Sequence, residues 1–351
     1  MSVAVVYLAR FAEGAEPVRK FMQSYKAHQA GAAHDLVAVK KGFPDGGRHE
    51  QDDLLHGCEC IAIDDGGVDI TAYAKAAHHL PHKHVVFFNT FTEIIANDWL
   101  AKLLRVIQTP GVGIAAAMGS HESLLSSWTE ASRIVWQCNN GRPYDPELEE
   151  LWGHEIALHA PGWMRRNPTD YAKLFARKLL KRIPKYDQAA ADQRFREFWS
   201  KQTGGAFDVL GEIPEFPNPH VRSNGFMMER EIFLATRPDF VGEKHKSYLY
   251  ESGPNGLTAS VEKMGLKPII VGADGEGYSL DNMLHSRTFR LGDQSNLLIT
   301  DNQSRSWAQM PPKRREMYTR MSWSENVLGP ARFPNLPSPY QPLKFSPELF
   351  I

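Results

Sequence analysis

Apolar positions in this chain fall into short unbroken runs separated by stretches of helical spacing. The clearest run is Val85 to Phe88 in HVVFFNTFTEIIANDWLAKLLR, short and β-branched enough to predict a buried parallel strand. It stops at the polar edge Asn89-Thr90-Phe91-Thr92-Glu93. Ile94, Ile95, Trp99, Leu103 and Leu104 then recur at helical spacing, with Asn97 or Asp98 as the cap. Similar runs at Val3 to Leu8, Leu36 to Lys40, Cys60 to Ile63 and Val112 to Met118 predict four more strands. Between them, Pro17 to Gly31 (Val18, Phe21, Met22 and Tyr25 inward) and Ile70 to Leu80 predict helices. Strands alternating with helices imply right-handed crossovers and a mostly parallel sheet. Ligands of such sheets bind beyond the carboxyl ends of the strands, which makes the Asn89 loop the place to look for chemistry.

From about residue 120 to 217 the pattern becomes helical, with amphipathic stretches at Leu148 to Leu158, Tyr171 to Ile183 and Asp192 to Trp199. The middle one is strongly basic over 171–185. Such a helix lies on an anionic membrane or packs as a solvated helix on its own domain, and the second is the plainer reading. His220 to Phe233 reads as a strand and a short helix, and Glu251 falls in a loop before a helix capped by Gly265. A further strand is expected at Pro268 to Val271, and Leu297 to Ile299 followed by Asp301-Asn302-Gln303 begins a final segment. Beyond Gly329 a Pro-rich run has no period and should be an extended tail.

Composition narrows this picture only a little. The 351 residues are 42% hydrophobic, enough for one large α/β core or two moderate ones. Lys+Arg 40 against Asp+Glu 41 leaves no global field, so no nucleic-acid partner is expected. Three cysteines cannot form a disulfide framework or a four-cysteine zinc site, and Cys58 and Cys60 should be small buried hydrophobes. No run approaches 18 apolar residues and MSVAVVYLARF lacks a signal-length apolar region, so a cytoplasmic location is expected. His78, His79, His82 and His84 lie at a strand's amino end, opposite the expected active edge, and should be surface histidines.

Asp65-x-Gly67-x-Asp69 stands between a strand and a helix, where glycines let backbone approach a ligand and the helix start favours anions. It is not the dinucleotide fingerprint G-x-G-x-x-G. DGGVDITAY, VVFFNTFTEI with DWLAKLL, HVRSNGFMMEREIF and YESGPNGLTASVEKMGL together resemble, in order and spacing, a GT-A fold nucleotide-sugar glycosyltransferase. The resemblance is to the broad family 2 group and is nearest its rhamnan-synthesis F-like, polysaccharide-assembly branch. It implies an α/β, Rossmann-like mostly parallel sheet flanked by helices, with residues 1–120 as the nucleotide-sugar-binding half and 218–328 as the acceptor-side catalytic half of the same domain. The helical insertion, 121–217, and the extended tail, 329–351, come from the chain's own pattern, and the resemblance does not explain the insertion. It implies transfer of a sugar from a nucleotide-diphospho sugar to a glycan or lipid-linked acceptor in bacterial surface polysaccharide assembly, by an inverting route.

Carried over residue by residue, the resemblance makes Glu251 the catalytic base. Ala9, Arg10, Lys40, Asp65, Gly67, Asp69, Asn89 and Thr90 become nucleotide-sugar-binding residues, with Asp65 and Asp69 on the base and ribose. Arg222, Ser223 and Asn224 border the acceptor. One departure matters. The family's metal-binding D-x-D is here Asn89-Thr90-Phe91, so both carboxylates are missing and a Mg or Mn cofactor is left open. Glu93 and His285 are the substitute ligands to consider; otherwise cations such as Arg10, Lys40 or Arg222 neutralise the diphosphate. The run Gln303-Ser304-Arg305-Ser306-Trp307 has its Arg one position early for the Q-x-x-R-W of processive synthases, so processive synthesis is not expected. Two other classes stay open. One is a catalytically inactive GT-A-like nucleotide- or glycan-binding module; the other is an NAD(P)-type Rossmann enzyme, which the missing fingerprint disfavours.

Overall fold

The structure is a computed structural model that describes residues 2–46, 49–127, 211–242 and 244–323, with Ala176, Leu180, Gln193 and Glu197 as isolated positions. The 171–185 basic segment, apart from Ala176 and Leu180, lies outside the described residues, as do the 329–351 tail and most of the 121–217 insertion.

The first half alternates as expected. Strand β1 (Val3–Arg10) leads through a short 3-10 turn to helix α1 (Ala15–Ala27), then β2 (Asp35–Lys41), α2 (Glu50–Leu54), β3 (Glu59–Ile63), α3 (Asp69–His79) and β4 (His84–Phe88). Next come β5 (Glu93–Ile94), α4 (Trp99–Ile107), β6 (Val112–Ala116) and β7 (Gly119–Ser120). The second half holds β8 (His220–Val221), β9 (Phe226–Glu229), α5 (Arg230–Ala235), α6 (Lys244–Ser252), α7 (Leu257–Lys263), β10 (Lys267–Val271), β11 (Gly277–Ser279), β12 (Ile299–Thr300), α8 (Asn302–Gln309) and α9 (Pro312–Trp323).

Eight strands form the main sheet in the order β11-β10-β6-β9-β4-β1-β2-β3. Strands β1 to β4 pair in parallel, as do β6 and β10. The α/β class expected from the sequence, a mostly parallel sheet flanked by helices, is what the chain adopts. Because side chains alternate along a strand, each strand feeds two cores. Ala4, Val6 and Leu8 join Tyr73, Phe87 and Phe233 on one face, whereas Val3, Val5 and Tyr7 join Phe21, Phe88, Trp99 and Leu103 on the other. The second face carries α1 and α4, with Tyr7 stacked on Phe21 at 3.7 Å between ring centres.

Several local expectations need correction. Strand β9 is antiparallel to both neighbours, with Phe87 opposite Phe226 and Ala116 opposite Phe226 on its other side. Its apolar run carried no sign of direction. The helix after Asn89 starts at Trp99, because Glu93 and Ile94 instead pair with Thr300 and Ile299. Strand β3 ends the sheet, so Cys60 is exposed and Cys58 only half-buried rather than both sitting in the core. His82 and His84 are buried, not on the surface; His82 Nε2 is 2.8 Å from Asp35 and His84 Nε2 is 3.9 Å from Glu229. Glu251 lies in the last turn of α6 rather than in a loop.

The reversal of β9 has a spatial result. Parallel strands β1 to β4 present their carboxyl ends at one edge, and a strand running the other way presents its start there. The segment Arg222-Ser223-Asn224 therefore reaches the same edge as Arg10, Lys41 and Asn89. Gly225 makes the turn, at φ 71°, and hydrogen-bonds to Phe87 O and Ala117 N at 2.8 Å each. A Cβ there would meet Ile299 Cδ1 at 2.3 Å, so a side chain would both displace Ile299 and strain a backbone that favours glycine.

Candidate functional site

Three groups of side chains line this edge. At the ends of β1, β2 and β3, Arg10 pairs with Glu13 at 3.1 Å and with Asp65 at 4.0 Å. Lys41 is almost fully buried and donates to Gly67 O at 2.6 Å. Burial pulls the Lys41 ammonium below its ordinary pKa, helped by Arg10 and opposed by Asp69, Asp65 and Asp64. Gly67 has φ 73°, and a Cβ on it would crowd the Thr71 hydroxyl at 2.7 Å, so the turn before α3 requires glycine. Arg10 Nε is buried with no hydrogen-bond partner, and Asp65 is exposed. This corner has groups in reserve.

At the end of β4, the Asn89 amide donates to Asn224 Oδ1 at 2.9 Å, and Asn89 Oδ1 accepts from the Phe91 amide at 3.0 Å. The Thr92 hydroxyl lies 3.0 Å from Asn89 Oδ1 and 2.9 Å from Asn224 Oδ1, with one proton to share. Thr90 is buried; its carbonyl accepts from Tyr7 OH at 2.9 Å, and its hydroxyl has no partner. Arg305, from α8, donates to Phe91 O at 2.9 Å and Thr300 Oγ1 at 3.1 Å, and pairs with Glu93 Oε1 at 3.0 Å.

The third group surrounds Glu251. Its Oε1 lies 2.9 Å from Arg222 Nη1 and 3.9 Å from His220 Nε2. Its Oε2 accepts from the Ser223 amide at 3.0 Å and, at shorter range, from the Ser223 hydroxyl. Burial alone would raise the Glu251 pKa, but Arg222, His220 and Ser223 outweigh it and hold the carboxyl below the usual range. His220 is buried, with Nδ1 2.7 Å from Asn218 O, and burial lowers its pKa despite Glu251. Arg222 and Arg290 both approach Gln303 Oε1, at 3.1 and 3.2 Å, and both lie over the Phe289 ring at 4.8 and 4.6 Å. Glu122 stands between the two guanidiniums at 3.7 and 3.9 Å. Two cations and two carboxylates thus close on one another in a largely buried knot.

The edge brings together Ala9, Arg10, Asp65, Gly67, Asn89, Thr90, Arg222, Ser223, Asn224 and Glu251, although Asn89 and Asn224 spend their amide oxygens on the protein itself. Lys40 falls outside this set. It turns to the other side of β2, pairs with Asp52 at 2.5 Å and lies over Phe43, while Lys41 points to the corner. Glu93 is tied to Arg305, and His285 is exposed on a short 3-10 turn with no hydrogen bond or ion pair to Asn89 or Glu93. Lys41, Glu122, Arg290 and Gln303 escaped the sequence reading. For Gln303 and Arg305 the signal was the Gln303 to Trp307 run; nothing marks Arg290, which reaches the knot from a left-handed residue, φ 52°.

No known family matches the sequence, and neither does any curated protein. Among solved structures, a mannosyltransferase from Pyrobaculum calidifontis in complex with GDP-Man and Mn2+ is similar at 16% identity and a TM-score of 0.27, over 32% of this chain and 34% of that one. A CMP:2-keto-3-deoxy-manno-octonic acid synthetase complexed with CTP is similar at 14% identity and a TM-score of 0.27, over 37% of this chain and 56% of that one. The chain therefore matches about a third and about half of the lengths of these two proteins.

Proposed function

We propose that the chain is a GT-A glycosyltransferase that moves a sugar from a nucleotide-diphospho sugar to a glycan or lipid-linked acceptor in bacterial surface polysaccharide assembly. The observation that carries this reading is the convergence, at one sheet edge, of the Arg10–Lys41–Asp65 corner with an ionised Glu251 set in the Arg222–Ser223 segment. In the inverting route, the bond from the sugar's anomeric carbon to the diphosphate oxygen breaks, and its electron pair leaves with the nucleoside diphosphate. The acceptor oxygen forms the new bond from the opposite face, and its proton passes to Glu251. An oxocarbenium-like centre acidifies the incoming hydroxyl, so a carboxylate of low pKa suffices as base. Arg10, Lys41, Asp65 and Asp69 then hold the nucleotide, and Arg222, Ser223 and Asn224 border the acceptor.

The competing reading, an inactive nucleotide- or glycan-binding module, draws on the occupied oxygens of Glu251 and on Asn89 standing where an acidic residue is expected. Hydrolysis and transfer assays on a panel of UDP-, GDP-, dTDP- and CMP-sugars, with thermal shifts on the same panel, separate the two. Turnover supports the enzyme; stabilisation without turnover supports the module. A shift with NAD or NADP alone overturns both. Among the described residues no helix is long and apolar enough to cross a membrane; membrane contact through the 171–185 segment belongs to this proposal and is checked by sedimentation with anionic vesicles.

A further inference from the structure

The loop after β4 does not fit a divalent cation. Mg2+ and Mn2+ need several hard oxygen ligands, and here the loop offers one carboxylate, already paired with an arginine, and one hydroxyl without a partner, that of Thr90. Asn89 Oδ1 accepts from the Phe91 amide and faces the Thr92 hydroxyl. Phe91 offers only its carbonyl, which accepts from Arg305. Glu93 Oε1 is held by Arg305 at 3.0 Å. Among the described residues, no three His, Cys, Asp or Glu side chains gather to hold a metal.

A cation does stand at this loop, and it belongs to the chain. Arg305 is fixed at three points, by an ion pair to Glu93 and by hydrogen bonds to Thr300 Oγ1 and Phe91 O, and these two hydrogen bonds engage two of its five N–H donors. Its side chain keeps 29% of its surface exposed, so the remaining donors are reachable. A guanidinium locked in orientation by a carboxylate, with donors to spare, matches the oxygens of a phosphate or diphosphate.

We propose that Arg305 does the work of the missing metal: it binds the diphosphate of the nucleotide donor and stabilises it as a leaving group, so that donor binding is independent of divalent ions. The inference rests on the glycosyltransferase reading. It also gives a role to the Gln303 to Trp307 run, which the proposed reaction otherwise leaves aside.

Calorimetric titration with UDP, GDP and dTDP tests it, in EDTA and in Mg2+ or Mn2+, on the full chain. The expected result is an affinity that differs by less than threefold between the two conditions for the preferred nucleotide. Arg305→Gln should weaken binding in EDTA at least tenfold, whereas Glu93→Gln, which keeps the guanidinium but loosens its hold, should weaken it less than Arg305→Gln does. Should Arg305→Gln fail to fold, the unaltered protein still decides: in EDTA the nucleoside diphosphate should bind at least tenfold tighter than its nucleoside. Binding that appears only with metal, a Glu93→Gln variant that loses metal-dependent affinity, or equal affinity for diphosphate and nucleoside overturns the inference and leaves the glycosyltransferase reading intact. No nucleoside diphosphate binding under any condition removes both.

Discussion

The two ends of the candidate site are built on opposite plans. The Arg10–Lys41–Asp65 corner anchors Lys41 on Gly67 O and Arg10 on Glu13 but holds Asp65 loosely: the Arg10 to Asp65 distance is 4.0 Å, Asp65 is exposed, and Arg10 Nε has no partner. The Glu251 knot is tight, with Arg222, Ser223, Glu122, Arg290 and Gln303 engaged with one another and mostly out of water. Loosely held groups cost little to redirect toward a ligand, whereas a buried network is disrupted by the loss of any member. The donor corner should thus behave as a binding surface and the knot as part of the framework as well as of the chemistry.

The strongest test of that contrast is Glu251→Gln. In the role proposed above, that of general base, the carboxylate would contribute roughly 10²–10⁴-fold, about 3–5 kcal/mol of transition-state stabilisation. Turnover should fall by that factor while the nucleotide dissociation constant stays near normal. Normal turnover would move the base elsewhere, and a drop in melting temperature with no other change would make Glu251 purely structural.

Arg222→Met comes next. It leaves Glu251 and Glu122 facing each other without their shared cation, and breaking a buried pair by removing one partner costs about 3–5 kcal/mol. Partial exposure of Arg222, 16% of its side chain, sets the expectation at the lower end. Urea denaturation reads it; an unchanged midpoint would show that the knot carries no stability.

The acid limb of stability gives a smaller effect. Burial lowers the His121 pKa to about 4 from its ordinary 6.5, and its Nδ1 has no partner. Below about pH 6.5 the unfolded chain takes up a proton there that the folded chain refuses, so stability falls as pH drops towards 4. The slope from this group is at most about 1.4 kcal/mol per pH unit. His121→Gln should flatten urea midpoints measured between pH 7 and pH 4.5, and a limb of unchanged slope would assign the acid sensitivity to other groups.

The smallest effect belongs to the open corner. Asp65→Ala should leave folding stability within about 0.5 kcal/mol, because the residue is exposed and its ion pair long. Nucleotide binding should weaken by about 1 kcal/mol, the worth of one hydrogen bond. Calorimetry and a thermal melt on one sample show whether binding and stability separate.

Sequence reading served the two regions unequally, for physical reasons. The donor corner follows local rules: apolar runs mark β1 to β4, and the residues just past each run lie at the active edge. Even there the side of a strand is ambiguous when it is buried on both faces. Val37, Ala38 and Val39 are all buried, so no alternation told Lys40 from Lys41. The knot depends on contacts far apart in sequence: Glu122 with Arg222, Arg222 with Glu251, and Gln303 with both arginines. No periodicity reports such meetings, nor the reversed direction of β9 that makes them happen.

The pairing of β7 with β8 carries a consequence for how the chain can vary. Gly119 lies opposite Val221 and Ser120 opposite His220, and above this ladder Asn218 N bonds to His121 O, Phe216 N to Ser126 Oγ, and Ser123 Oγ to Pro214 O. The departing and returning segments of residues 120–127 and 211–221 are therefore joined to each other before the intervening chain begins. A segment whose ends are already joined adds closure entropy only as the logarithm of its length, about 0.6 kcal/mol for each doubling. By this entropy alone, a change in the number of residues between the two joined ends places little strain on Arg222 and Glu251 below. The joined ends act as a socket, and on the proposed function they are the natural position for a graft that leaves the Glu251 knot where it is.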